Sequence, residues 1–442
     1  MSIRIASQLK FEPHQLLALA QSFADRQGTC LLYSGGNLDS ATTSYLALFP
    51  YETISIQANK LVYRKGSLSL QKEISQPWEA LQEFFPPSLD PLDYAFGFFG
   101  YEMGAFSDPT YSLPYRLADT PDTYWQRCAL VIKVEHQLKQ AQFILNEEAL
   151  PFIFEELEQQ GEESIPFVKA KDVPDRYALY MAKIAAIQEA IYAGDVYQVN
   201  LSQEFIFEGK QNPFLLFMQM LKRNPTPFSA YLHTPSFSIV SMSPERFLQK
   251  KGMQLETRPI KGTMARGRNT DEDLYLKEQL LHSSKEQAEL LMITDLMRND
   301  LGKISQRGSV VTCEIGRCEM YTNVFHLLSI IQSQALSTLS PLELIRACFP
   351  AGSITGCPKL KAMEMISQLE QRPRGIYTGS IGYMTGKGDF DLNVAIRTLV
   401  CTNQQLSLQL GGGIVIDSIP DQEYQETLIK GHSFFQMLRE VG

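Results

Sequence analysis

Two stretches of the sequence each place a pair of glutamates three residues apart: Glu286 and Glu289 in SSKEQAELLMITDLMRNDLG, and Glu423 and Glu426 in DSIPDQEYQETL. In a helix such residues share a face. Glutamates on a helix usually meet solvent, yet two such pairs also suit Mg²⁺, which takes one or two carboxylates, keeps several waters and leaves positions for substrate oxygens. Spacing alone leaves both readings open. In RPIKGTMARG, residues 258–267, Lys261 ends an apolar run and is followed by Gly262 and Thr263. It is either a surface cation or an amine aimed at a molecule that the glycine lets approach. Gly411, Gly412 and Gly413 in QLSLQLGGGIVIDS remove every Cβ at the end of a strand-like run, either for a bulge or for main-chain contact with a ligand. FPAGSITGCPKLKAM begins a helix at Pro358 after a glycine-flanked turn, where free N–H groups attract anions or simply start the helix. His326 in NVFHLLS, Tyr377 in RGIYTG and Glu245 in SMSPERF stand alone. A histidine in an apolar run is more often a core residue than a catalyst.

These residues need a scaffold, and composition bounds it. The 442 residues, 44% hydrophobic, suffice for one large or two closely joined globular units. The first twenty residues hold no apolar stretch of signal-peptide length, and no segment approaches eighteen consecutive apolar residues, so a cytoplasmic chain without a membrane span is expected. Seven cysteines without a C-x-x-C pair suggest neither a disulfide framework nor a thiolate zinc site. A net charge of -9 has the wrong sign for a nucleic-acid footprint. No phosphate-binding glycine loop occurs.

DRYALYMAKIAAIQEAIYAG spaces Tyr177, Tyr180, Ile184, Ile187 and Ile191 by threes and fours and stops at Gly194, which predicts an amphipathic helix. It feeds DVYQVNLSQEF, a strand whose Gln198, Asn200 and Ser202 form a polar face. DLNVAIRTLV reads as another strand, with Asn393, Ala395 and Arg397 on one side. Earlier strand-like runs lie at Tyr94–Tyr101 and Cys128–Val134, with a Pro-rich stretch between residues 86 and 91. Turn signals near 251 and 388 predict hairpins, and helices are expected near 272–301, 340–349, 358–370 and 421–438. Ser340 to Glu343 form a capping box with proline at the first helical position. The pattern predicts an α+β fold of large antiparallel sheets. An acidic helix-like segment at 145–164 suggests a boundary between an N-terminal region, residues 1–170, packed into the same globule, and a catalytic region, residues 171–442.

Taken together, GDVYQVNLSQ, SPERF, RPIKGT, KEQAELLMITDLMRNDLG, VFHLLS, PAGSITGCPK, RGIYTGSIGY, NVAIRT and GGGIVIDSIPDQEYQET resemble the chorismate-utilising enzymes. This family comprises component I of anthranilate synthase and of aminodeoxychorismate synthase, with isochorismate and salicylate synthases as more distant relatives. The resemblance runs from about Asp175 to Phe435 and implies antiparallel sheets packed as a sandwich with helices outside. It implies that Glu286, Glu289, Glu423 and Glu426 hold Mg²⁺ against the ring carboxylate of chorismate. Arg397, Tyr377, Thr355, Lys430, Gln198, Gly262, Thr263 and the backbone of Gly411, Gly412 and Gly413 would bind the substrate. Arginine suits a carboxylate through its planar fork.

Within the family, Gln198 stands where isochorismate-forming members carry a lysine base, and glutamine cannot take a proton from water. P-I-K-G-T resembles the aminodeoxychorismate synthases, whereas anthranilate synthases usually have P-I-A-G-T. The resemblance then implies that Lys261 adds to C2 of chorismate, Glu245 protonates the departing C4 hydroxyl, and His326 assists. A lysine of ordinary pKa, about 10.4, is neutral only about once in 2,500 molecules at pH 7, so burial and a cation such as Mg²⁺ or Arg258 would have to lower it. No glutamine amidotransferase loop is present, so a separate glutaminase subunit is the implied source of ammonia, and another protein would be needed to make 4-aminobenzoate. Tyr33 in LLYSGG replaces the glutamate of a tryptophan pocket found in several relatives, which argues against that ligand. An anthranilate synthase with an unusual lysine and a non-catalytic chorismate-binding subunit are the competing readings.

Overall fold

The computed structural model describes residues 3–36, 38–86, 90–108, 114–146, 169–171, 174–209, 211–402 and 404–441. The acidic segment expected to mark a boundary lies outside the described residues from 147 onward, as does the middle of the Pro-rich stretch.

Two long strands, Thr43–Gln57 and Thr123–Glu135, pair antiparallel along almost their whole length and belong to two sheets at once. Phe49 takes a left-handed φ of 62°, and the register slips between Pro50 and Glu52. Proline lacks the ladder N–H, and a bulge bends a strand. Each half can therefore serve a different sheet. In the first, Thr43–Gln57 continues into Lys60–Lys65 and Leu68–Glu73, while Thr123–Glu135 leads through Tyr94–Phe99, Ser380–Thr385, Phe390–Asn393, Arg246–Lys251 and Gln254–Arg258 to Val324–Gln334 and Val311–Met320. In the second, Thr123–Glu135 continues into Gln140–Asn146 and Ile3–Lys10, and Thr43–Gln57 leads through Cys30–Tyr33, Phe228–His233, Ser238–Ser243, Thr398–Cys401 and Gln405–Ile414 to Gln198–Glu208.

The sheets face each other across a core in which Phe96, Phe98 and Ile381 of the first meet Cys30, Leu232 and Ile239 of the second. Helices close the outer faces. Pro13–Ser22, Pro213–Arg223 and Pro420–Val441 cover the second sheet; Pro77–Gln82, Ser284–Ile304 and Pro341–Cys348 cover the first. This is the expected α+β sandwich with helices outside.

Several local expectations hold. The helix Arg176–Tyr192 buries Tyr180, Ile184 and Ile187, both hairpins form, and the Ser340–Glu343 capping box is complete. Two expectations are corrected. The helix near 272–301 is two helices, Thr270–His282 and Ser284–Ile304, because the Ser283 side chain accepts from the N–H of Glu286 and starts a new helix there. DLNVAIRTLV is not one strand: the ladder stops at Asn393 and resumes at Thr398, and Arg397 between them has φ 52°. The left-handed turn abolishes strict alternation and re-aims the arginine. All seven cysteines are free, and no helix among the described residues is long and apolar enough to cross a membrane.

Asp39 ties the loop after Cys30–Tyr33 to the strands beyond. It accepts from Arg258 at 2.8 Å and from Arg317 at 3.0 Å. Arg258 also donates to Glu256 at 2.6 Å, so the cation expected to influence Lys261 is committed to carboxylates.

Candidate active site

The site forms where an edge of each sheet meets. Ile260–Ala265 pairs with Val324–Gln334, and a bulge falls between Lys261 and Thr263, at Gly262 with φ 81°. A bulge re-aims its neighbours. Lys261 Nζ reaches 3.1 Å from Glu289 Oε2, with 14% of its side chain exposed. A Cβ built on Gly413 of the second sheet would lie 2.6 Å from that Nζ and 3.1 Å from Gln198 Nε2. The absence of a side chain at Gly413 is what leaves room for both amine and amide. A Cβ at Gly411 would be 2.8 Å from the Tyr377 hydroxyl, and one at Gly412 lies 3.6 Å from Lys430 Nζ and 3.5 Å from Glu423 Oε2.

The polar face predicted for DVYQVNLSQEF is buried rather than solvated. Gln198 is 0% exposed, and neither its Oε1 nor its Nε2 has a hydrogen-bond partner. Leaving such groups unsatisfied costs roughly 1–3 kcal/mol each, so the amide is built for a partner other than the chain. Thr355 is also fully buried; its hydroxyl donates to the carbonyl of Ala351 at 3.1 Å, and its own carbonyl accepts from Asn200 N–H at 2.8 Å.

Glu286 and Glu289 occupy the first turns of Ser284–Ile304, and Glu423 and Glu426 those of Pro420–Val441. Burial, then Glu289, raises the Glu286 carboxyl above its ordinary pKa, with Glu426 adding to it from the opposite helix. Glu423 is raised by burial and by Glu426, against a 2.7 Å bond from Ser418 Oγ. Lys430, 2.6 Å from Glu426 Oε1, holds that carboxyl below its usual range. Glu286 thus senses Glu426 across two helices, although among the described residues no three His, Cys, Asp or Glu side chains converge as a ready metal cage. Lys285, 4.0 Å from Glu289 Oε1, was not singled out by sequence; its place beside Glu286 in SSKEQAELL was the available signal.

Glu245 lies in the bend between Ser238–Ser243 and Arg246–Lys251, 4% exposed. Burial pushes its carboxyl up to about 7, while the Ser353 hydroxyl, the Ile260 N–H, Lys261 and Arg397 oppose the rise. Ser353 Oγ donates to Glu245 Oε1 at 2.5 Å. Ser353 was also missed, its signal being the polar residue within PAGSITG. His326 Nδ1 lies 3.0 Å from Thr263 Oγ1, and its Nε2 lies 3.0 Å from an Arg397 guanidinium nitrogen. The structure therefore gathers the sequence-selected residues around one locus that offers an amine, a carboxyl poised near neutrality, an unsatisfied amide, bare glycine backbone and an acidic rim.

Behind it, Arg374 is 2% exposed and binds Glu370 at 2.8 Å and the carbonyls of Asn200 and Ile354 at 2.8 and 3.0 Å. It joins the segments that carry Gln198 and Thr355.

The chain is similar to known proteins over most of its length. Aminodeoxychorismate synthase component 1 of Bacillus subtilis is 36% identical over 418 residues, covering 89% of this chain and 89% of that one. Anthranilate synthase component 1 of Aquifex aeolicus is 40% identical over 251 residues, 57% of this chain and 51% of that one. The crystal structure of anthranilate synthase component I from Streptococcus pneumoniae superposes with a TM-score of 0.75 at 30% identity, covering 89% of this chain and 92% of that one. The family described as chorismate binding enzyme matches residues 29–436, reaching well upstream of the motifs that begin near Asp175. With one edge of each sheet supplying the site and the match spanning both sheets, the chain belongs to the chorismate binding enzyme family.

Proposed function

We propose that the protein aminates chorismate at C4 to give 4-amino-4-deoxychorismate, with ammonia delivered by a separate glutaminase subunit. The observation that carries this reading is the position of Lys261, whose amine pairs with Glu289 at 3.1 Å and lies where a side chain on Gly413 would otherwise stand, beside the unpartnered amide of Gln198. The name of the B. subtilis relative, aminodeoxychorismate synthase component 1, supports it, and "component 1" accords with a second subunit.

In this reading the neutral amine of Lys261 forms a bond to C2, the ring double bond shifts, and the C4–O bond breaks. Glu245, protonated in part near neutral pH because burial raises its pKa to about 7, gives its proton to the departing hydroxyl, which leaves as water. Ammonia then bonds to C4, the double bond returns, and the C2–N bond breaks to restore the lysine. The net change is chorismate plus ammonia to aminodeoxychorismate plus water. Gln198 cannot act as a base toward water, which argues against a hydroxylated product. Arg397, Tyr377, Thr355, Lys430, Gly262, Thr263 and the Gly411–Gly413 backbone would hold the enolpyruvyl group and the carboxylates.

Glu286, Glu289, Glu423 and Glu426 fit Mg²⁺. They are oxygen donors from two facing helices, and Glu286 and Glu423, raised first by burial and then by a neighbouring carboxylate, would each be relieved by a cation. Bound there, the ion would supply positive charge to the ring carboxylate.

Incubation with chorismate, Mg²⁺ and an ammonium salt is expected to yield aminodeoxychorismate. Anthranilate with pyruvate as the only products would refute the reading and favour the anthranilate synthase alternative, which the A. aeolicus match keeps in view. Lys261→Ala is expected to reduce turnover by roughly three orders of magnitude, and an undiminished rate would remove the lysine from the mechanism.

A further inference from the structure

His326 sits on Val324–Gln334, 2% exposed, directly across from Thr263. Both of its ring nitrogens are engaged, Nδ1 at 3.0 Å from Thr263 Oγ1 and Nε2 at 3.0 Å from Arg397 Nη2. A guanidinium has only N–H donors. Nε2 must therefore accept, and the proton of the neutral ring is on Nδ1, facing Thr263 Oγ1 and the carbonyl of Gly262. Burial, then Arg397, and more weakly Lys430, hold the imidazole well below its ordinary pKa against that carbonyl. Glu319 lies opposite His326 on the neighbouring strand, and the Tyr321 ring packs edge-on at 5.0 Å. No ring nitrogen is left over for substrate.

Arg397 is in a complementary situation. Its backbone leaves strand geometry at φ 52°, pinned by Met242 N–H donating to its carbonyl at 3.0 Å. Among the described residues its guanidinium forms a hydrogen bond to His326 and to no carboxylate. Glu245 acts on it only through space, and a cation with no carboxylate at hydrogen-bond distance is directed by whatever accepts from it.

We propose that His326 is a positioning residue: its unprotonated Nε2 orients the Arg397 guanidinium toward an anionic group of the substrate, and the imidazole itself transfers no proton. The proposal rests on the chorismate reading only for the identity of that anion.

Chorismate titrations of the whole protein in Mg²⁺ buffer test it. His326→Leu, which removes the acceptor, is expected to weaken binding about tenfold or more. His326→Gln restores an acceptor without any capacity for acid–base transfer, and should recover affinity to within about threefold of wild type. In turnover, the defect of His326→Leu should appear in KM more than in kcat. A Gln variant as defective as Leu in kcat, with KM unchanged in both, would overturn the proposal in favour of proton transfer. Because a core substitution can fail to fold, the wild-type protein supplies a second test. With ¹⁵N-labelled histidine, His326 Nε2 should remain unprotonated and Nδ1 protonated from about pH 6 to 9; a protonated Nε2 would overturn the assignment. If the wild type binds chorismate but does not aminate it, the proposed function fails while the binding comparison still decides the role of His326.

Discussion

At the scale of single residues, the site depends on what is missing as much as on what is present. Gly413 carries no side chain where one would collide with the Lys261 amine at 2.6 Å. Gly413→Ala should displace the amine and lower kcat roughly 100-fold, since a misplacement of about 1 Å suffices for such a loss, while circular dichroism reports an unchanged fold; a rate within a factor of about two would show that the amine does not act where it rests. In the proposed reaction Glu245 couples activity and stability to pH. Its carboxyl, about 7 when folded against 4.5 unperturbed, donates only when protonated, so as pH rises through about 7 its loss of the proton should offset the gain in neutral Lys261 and turnover should level off. Glu245→Gln should lose about 10²–10⁴-fold in turnover, and its remaining turnover should keep rising above about pH 7; wild type and variant with the same pH profile would exclude Glu245 as the acid. The same shift has a thermodynamic side. Between pH 4.5 and 7 the folded protein retains a proton that the unfolded chain has released, so stability falls as pH rises across that window, by up to about 3 kcal/mol. Glu245→Gln removes this dependence and should be the more stable protein at about pH 8 in denaturant titrations.

At the scale of elements, the catalytic segments are held in register from behind. Arg374, paired with Glu370 and bound to the carbonyls of Asn200 and Ile354, links the strand of Gln198 to the loop of Thr355. Arg374→Leu leaves Glu370 buried without its main partner and should destabilise by about 3–5 kcal/mol, read as a lower urea midpoint; an unchanged midpoint would mean that Glu370 is satisfied by Ser202 and Arg372 alone. What the sequence disclosed follows the same division between local and distant. Arg176–Tyr192, the capped helix at Ser340 and the hairpins near 251 and 388 are determined by nearby residues, through periodicity, capping and turn chemistry, and could be read directly. The break at Val394–Arg397 could not be, because the alternation of Leu392, Val394 and Ile396 mimics a strand and only tertiary contacts, such as Met242 N–H to the Arg397 carbonyl, impose the turn. The site residues were legible through family motifs rather than spacing. Ser353 and Ser418 were invisible because a serine that orients a carboxylate looks, in sequence, like any other loop serine.

At the scale of the whole molecule, the N-terminal 170 residues named no chemistry, yet they supply strands to both sheets. Phe228–His233 lies against Cys30–Tyr33, and Ser380–Thr385 against Tyr94–Phe99. A chain starting at residue 171 would expose both edges and half of the inter-sheet core, and is expected to aggregate and fail to bind chorismate; a soluble, cooperatively unfolding fragment would show that the catalytic region is autonomous. The pairing of Phe99 with Ser380 also has a consequence during synthesis. At about 5–20 residues per second, roughly 15–60 s separate the emergence of these two strands from the ribosome. Throughout that interval the phenylalanines of Tyr94–Phe99 have no finished core to enter. Such a strand is expected to need shielding while it waits, and yield in the cell should depend on translation speed through the middle of the message.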